Sequence, residues 1–305
     1  MEPSYLKLYK TGELSQRIER AYLKLKSCNI CPRECKVDRT NDKKGKCLTG
    51  KNAVVSSYNP HFGEEPPLVG RYGSGTIFFT HCNLNCIYCQ NYDISQYGMG
   101  YEVSDNELAD MMLSLQRKGC HNINFVSPTH VVPQILKALF IAIQNGLKVP
   151  LVYNTGGYDS IETLKILDGV FDIYMPDMKY SDPEIGKELS GVKDYPRINQ
   201  ECLKEMYSQV GDLVIEDGIA QRGLLIRHLV LPENLAGTEK ICEFISKEIS
   251  KESYVNIMSQ YHPCYKAFDH SILRKSLRTS EFIDALSIAR SSGLHRLARS
   301  FSNFL

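Results

Sequence analysis

Three cysteines, Cys82, Cys86 and Cys89, share one short polar stretch, spaced by three residues and then by two. They follow the apolar run Thr76-Ile77-Phe78-Phe79, which reads as a short buried strand with the cysteines on the loop at its end. Thiolates hold iron–sulfur clusters, usually four at a time. Three on one loop can reach three metal atoms of a cubane and leave the fourth without a protein ligand. An open coordination position is where a catalytic metal takes up substrate or cofactor, whereas structural zinc wants a closed tetrahedron. The only further donor on the loop is His81, and its adjacency to Cys82 makes it a poor ligand for the same ion. The spacing also differs from the paired C-x2-C knuckles of zinc ribbons. The residues favour an iron–sulfur cluster over zinc.

A second group precedes the first: Cys28-x2-Cys31-Pro32-x2-Cys35, then Cys47 after the polar, charged gap 36–46, with Gly45 near its end. These four thiols form a complete ligand set, and their clustering argues against ordinary buried thiols. Zinc and a second iron–sulfur cluster are both compatible with four thiolates. A cluster would have the added use of passing electrons to the first.

Cys82-x3-Cys86-x2-Cys89, with aromatic Tyr88 before the last cysteine and a strand before the loop, resembles the radical S-adenosylmethionine (SAM) superfamily. His61-Phe62-Gly63-Glu64-Glu65-Pro66-Pro67 and Cys89-Gln90-Asn91-Tyr92-Asp93-Ile94-Ser95 resemble its pyruvate formate-lyase activating enzyme-like branch. The resemblance implies a [4Fe-4S] cluster on the three cysteines, with the amino and carboxylate groups of SAM on the open iron. It further implies reductive cleavage of SAM to a 5′-deoxyadenosyl radical, with the electron supplied by a reductant such as flavodoxin or ferredoxin. It places Tyr88 near adenine, and Ser127 and Thr129 near the SAM amino group, although Ser127-Pro128-Thr129-His130 departs from the Gly-Gly-Glu-type segment of related enzymes. Asn154 and Thr155 resemble an Asp-Thr-Asn-Gly element with Asn in place of Asp. Asp177-x-Lys179 is similar to the Asp-x-Lys motif of the activating enzymes; Lys179 would meet the SAM carboxylate, with Arg227 as a second partner. The substrate would be a protein glycine, a peptide or a small molecule.

With 305 residues and 43% hydrophobic content, the chain can bury one large core. A net charge of +1, from 36 basic and 35 acidic residues, asks for neither nucleic acid nor an anionic membrane. The most apolar stretch, 135–143, contains Lys137 and is too short to span a bilayer. The N-terminus lacks the basic and apolar regions of a signal peptide. The 11 cysteines, clustered as they are, suit metal ligation in a reducing compartment, so a cytoplasmic location is expected.

Periodicity predicts an amphipathic helix over about 13–26, and a β-prone run at 52–58 packing the cysteine-rich segment against the rest. The Pro/Gly-rich loop 59–75 separates an N-terminal extension, 1–70, from a main unit, 71–305. Beyond it, strands at 75–79, 122–127, 149–154, 171–175, 224–231 and 255–259 alternate with helices. Ser104 and Glu107 form a capping box, and Thr238 is placed as a helix cap. Six β-then-α units imply a parallel sheet covered by helices. The resemblance implies an open, partial (β/α)6 TIM-type barrel. Five successive strand ends carry polar residues where such folds bind ligands. Cys264, at the sixth, is a candidate hydrogen-atom donor or simply a small buried residue; Cys120, Cys202 and Cys242 read as core. The competing functions are a two-cluster electron carrier and a zinc-bearing interaction module.

Overall fold

The computed structural model describes residues 1–298. Its strands are β1 (Ala53–His61), β2 (Ser74–Phe79), β3 (Tyr101–Val103), β4 (Ile123–Val126), β5 (Leu151–Thr155), β6 (Ile173–Pro176), β7 (Val214–Glu216), β8 (Ile219–Leu229) and β9 (Tyr254–Met258). They form one sheet in the order β3-β1-β2-β4-β5-β6-β8, with β7 and β9 both paired to β8. From β2 through β4, β5, β6, β8 and β9 every pairing is parallel. The six strands expected from the sequence are therefore neighbours in that order. Among the described residues no ladder joins β9 to the β3–β1 edge, so the barrel is open.

Burial explains the strand compositions. β5 and β6 are buried along their whole length, as parallel strands covered on both faces must be. The outer face carries an aromatic file in which Phe79 stacks on Phe125, and Phe125 and Tyr153 meet Phe171 edge-on. The helix Val132–Gln144 is apolar nearly all round because it lies between Asp105–Arg117 and the N-terminal helix Glu13–Lys26. Tyr5 donates to the Val149 carbonyl at 2.9 Å and the Ser4 N–H to Asp172 at 2.8 Å, pinning the N-terminus beside the starts of β5 and β6. No helix among the described residues is long and apolar enough to cross a membrane.

Several local expectations shift. The β-prone run at 52–58 continues to His61 and joins the sheet antiparallel to β2. The loop after it enters the barrel: the turn Pro66–Val69 seats Leu68 against Val152, Ile173, Met175 and Leu225. The helix ahead of β7 and β8 runs Tyr195–Val210, with Pro196 in its first turn. Thr238 does not cap its helix: it is the first helical residue, after Gly237, and its hydroxyl lies 2.9 Å from His228 Nε2. The Ser104–Glu107 capping box is present.

Candidate active site

The carboxyl ends of the parallel strands surround a cavity of about 420 Å³, within the range of small-molecule sites. Cys82, Cys86 and Cys89 line one side, Ser127, Asn154, Thr155, Asp177, Lys179 and Arg227 the other strand ends, and Tyr88 the wall between thiols. Thr129 stands apart. It is buried, off the cavity wall, with its hydroxyl 2.7 Å from the Asp159 carboxylate and 3.1 Å from that of Thr155.

Each thiol has a polar neighbour. The Leu84 N–H points at Cys82 Sγ (3.4 Å), Ser190 Oγ lies 2.9 Å from Cys86 Sγ, and Ser95 Oγ 3.1 Å from Cys89 Sγ. A chain of hydroxyls runs from Tyr88 to Tyr180 (2.6 Å) and on to Ser190 (2.7 Å), so the Tyr88 hydroxyl belongs to the support behind Cys86. Burial pushes the Cys82 thiol up to about 12 and raises Cys86 and Cys89, while Lys179 pulls all three the other way. Thiolates here therefore need a cation as partner.

The opposite side is a charge network. Asp177 accepts from Lys179 Nζ at 2.7 Å and from Arg227 Nε at 2.9 Å, and Arg227 also donates to Asn154 Oδ1 at 2.7 Å. Burial would raise the Asp177 carboxyl, but the two cations reverse the direction and hold it below its ordinary range. Tyr195 and Asn199 fasten the backbone beneath, donating to the carbonyls of Gly156, Gly157 and Asp177 at 2.9–3.0 Å. Gly157 must be glycine: its φ is +74°, and a Cβ would lie 2.2 Å from Asn199 Nδ2 and 2.3 Å from the Asp177 carbonyl.

Sequence reading missed three groups. Glu64 lines the cavity 3.8 Å from Arg227, its side chain 8% exposed, and burial above all pushes its carboxyl up to about 7. Asp159 gathers the hydroxyls of Tyr153, Thr155 and Thr129. Ser190 backs Cys86 from a helix, Pro183–Ser190, that periodicity did not reveal. For Glu64 the signal was its place in the Glu-Glu-Pro-Pro run; nothing marked the others. Cys264 is directed at the Tyr88 carbonyl (3.3 Å) and does not line the cavity. Cys120, Cys202 and Cys242 are buried.

The second cysteine group is largely buried. Cys28, Cys31 and Cys47 are buried and Cys35 half-buried; burial above all, helped by Cys47, Cys28 and Cys35, pushes the Cys31 thiol up to about 12. Arg33 joins the two groups, donating to the carbonyl of Asn83 at 2.8 Å and of Gly191 at 3.0 Å.

Residues 76–245, more than half of the chain, match the family described as the Radical SAM superfamily. The chain belongs to the radical SAM superfamily. It is 35% identical over 299 residues to the uncharacterized protein MJ0674 of Methanocaldococcus jannaschii, covering 95% of this chain and 82% of that protein. The uncharacterized protein MJ0808 of the same organism is 25% identical over 264 residues, covering 79% and 72%. Among solved structures, HydG, a maturase of the [FeFe]-hydrogenase, superposes with a TM-score of 0.50 at 11% identity, over 73% of this chain and 49% of that one. AdoMet-bound anSMEcpe gives 0.49 at 13% identity, over 70% and 57%. This chain thus spans roughly half the length of the solved structures it matches. A radical SAM enzyme uses a [4Fe-4S] cluster and SAM, and the site fits both. Three thiols face one cavity, Lys179 is near enough to act on all three, and cations stand ready for a carboxylate.

Proposed function

We propose that this radical SAM enzyme works as the activating enzymes of the pyruvate formate-lyase type do, taking a hydrogen atom from a polypeptide, with a backbone glycine of a partner protein as the target. The observation that carries this is the meeting of Cys82, Cys86 and Cys89 with the Asp177–Lys179–Arg227 network across one cavity. Cys82, Cys86 and Cys89 would hold the cluster; with SAM bound, it supplies reductive sulfonium cleavage and the carbon radical that takes the hydrogen. A one-electron carrier such as flavodoxin or ferredoxin would provide the electron.

The chain's own residues bind, orient and keep water out. Lys179 and Arg227 receive the SAM carboxylate, while Asp177 fixes both cations at strand ends. Ser127, Asn154 and Thr155 offer hydrogen bonds to the amino and ribose groups, and the ring of Tyr88 offers a face to adenine. Thr129 acts at one remove, steadying Thr155. Leu84, Ile94, Val126, Leu229 and Met258 give the cavity an apolar lining that limits water around a reactive carbon. In this reading residues 1–70 are an extension bearing the second cysteine group and 71–305 the catalytic unit, of which 299–305 lie outside the described residues.

A polypeptide target is favoured by the rim. Phe62 and Tyr97 are 63% and 65% exposed beside the lining residues His61, Gly63 and Gln96. Tyr92, Tyr97 and Tyr265 pack as a cluster on the same segments. Exposed aromatic groups around a cavity suit a protein surface better than a free metabolite. After anaerobic reconstitution with iron and sulfide, the protein with dithionite and SAM should form 5′-deoxyadenosine. C86A should form none, and intact turnover there refutes the reading. Deuterium passing into deoxyadenosine from a glycine-labelled partner supports the activase; transfer only from small molecules or short peptides replaces it.

A further inference from the structure

Arg39 is fully buried, among the largest side chains with no exposure. Its Nε donates to the Gly50 carbonyl at 3.0 Å and one terminal nitrogen to the His130 carbonyl at 2.7 Å, while the other has no partner. None of the ion pairs among the described residues includes it. A guanidinium stays protonated, and burying one without an opposite charge is costly. The nitrogen that meets His130 also points toward Cys28 Sγ, at 4.0 Å. Burial of Arg39 thus calls for an anion where the second cysteine group stands.

The loop around those cysteines is shaped to hold something. The Cys28 N–H bonds to the Val37 carbonyl and the Lys36 N–H to the Cys28 carbonyl, both at 2.9 Å, folding the segment back on itself. The Lys46 N–H points at Cys35 Sγ at 3.3 Å. Gly45 leaves no spare room: a Cβ there would lie 2.7 Å from Cys35 Cβ and 2.8 Å from its sulfur. Glu34, Lys36 and Asp42 take left-handed backbone angles within the span of the four thiols, and Leu48 takes one directly after it, a cluster of strained positions.

We propose that Cys28, Cys31, Cys35 and Cys47 hold a second iron–sulfur cluster, and that Arg39 is its buried counter-charge. On binding, each thiol exchanges its S–H proton for an Fe–S bond and the proton leaves to solvent. Four thiolates outweigh the positive core, so the loaded centre is an anion and the guanidinium is no longer uncompensated. Iron–sulfur is the better fit by role: zinc has no redox chemistry, whereas a cluster can pass an electron to the catalytic site, and Arg33 ties this loop to the backbone of the catalytic one.

The test removes the catalytic ligands. In a C82A/C86A/C89A chain, isolated or reconstituted anaerobically, about four iron and four sulfide per chain are expected, with visible absorbance bleached by dithionite. Its metal content reads this site alone, so the result stands whether or not the catalytic reading does. Zinc in place of iron, or neither metal, overturns the proposal. Should that variant not fold, full-length protein carrying C31A/C35A, left with two thiols at this site, must lose iron relative to the parent; unchanged iron overturns it too. Arg39→Gln should lower the midpoint potential of this cluster, because a nearby cation favours the more negative, reduced state. Arg39→Lys should restore most of the shift. An intact cluster with unaltered potential in R39Q overturns the counter-charge role.

Discussion

At the scale of single residues, the site is governed by charges that water cannot fully screen. Asp177 serves two cations with one carboxylate, and its side chain is 16% exposed. Asp177→Asn leaves Lys179 and Arg227 crowded around a neutral amide. It should cost about 3 kcal/mol in chemical denaturation and weaken SAM binding at least about tenfold by calorimetry. Glu64 behaves oppositely. Burial above all lifts its carboxyl from 4.5 to about 7, so the folded protein keeps a proton that the unfolded chain releases earlier. Its contribution is greatest below the unfolded value and falls as pH rises toward about 7, a span worth about 3 kcal/mol. Glu64→Gln should flatten that part of the curve of melting temperature against pH. A slope identical to the parent's would show that Glu64 titrates normally.

At the scale of elements, positions that hold structure separate from positions that hold the site. Ser104→Ala removes a capping-box oxygen on a helix away from the cavity. It should cost about 1 kcal/mol and leave deoxyadenosine formation unchanged. Gly157→Ala drives a methyl into Asn199 and the Asp177 carbonyl. It should cost about 2 kcal/mol or more and also reduce deoxyadenosine yield, since it moves the backbone of Asp177. The sequence showed the capping box because both partners lie within one turn. It showed the parallel strands because two-sided burial leaves continuous apolar runs. The cysteines, Asp177, Lys179 and Arg227 stood out in the sequence through motif resemblance and strand-end position, and they line one cavity. Glu64, Asp159 and Ser190 escaped because their partners lie on other elements. Thr238 misled for the same reason: its hydroxyl is taken by His228, ten residues earlier. Thr129 looks like a ligand contact in one dimension and lies behind the wall in three.

At the scale of the whole molecule, the two cysteine groups are stitched into the fold rather than hung on it. Arg33 reaches from one cysteine loop to the backbone of the other, and Arg39 from the first to the His130 carbonyl. Stripping iron anaerobically with a chelator should therefore lower the melting temperature by about 5 °C or more, recovered on reconstitution. An unchanged melting curve would mean that the thiols are as comfortable empty as loaded. The open side of the barrel is bridged by side chains alone. Gln90 donates to the Gln260 carbonyl and Asn256 to Glu65, each at 2.9 Å, where a closed cylinder would have a ladder of backbone bonds. Cys264, directed at the Tyr88 carbonyl, and the packing of Tyr265 on Tyr92 and Tyr97 add to these links. The seam is a clasp of side chains; under the proposed function, its release would let a loop of a partner protein enter sideways with both its ends still outside.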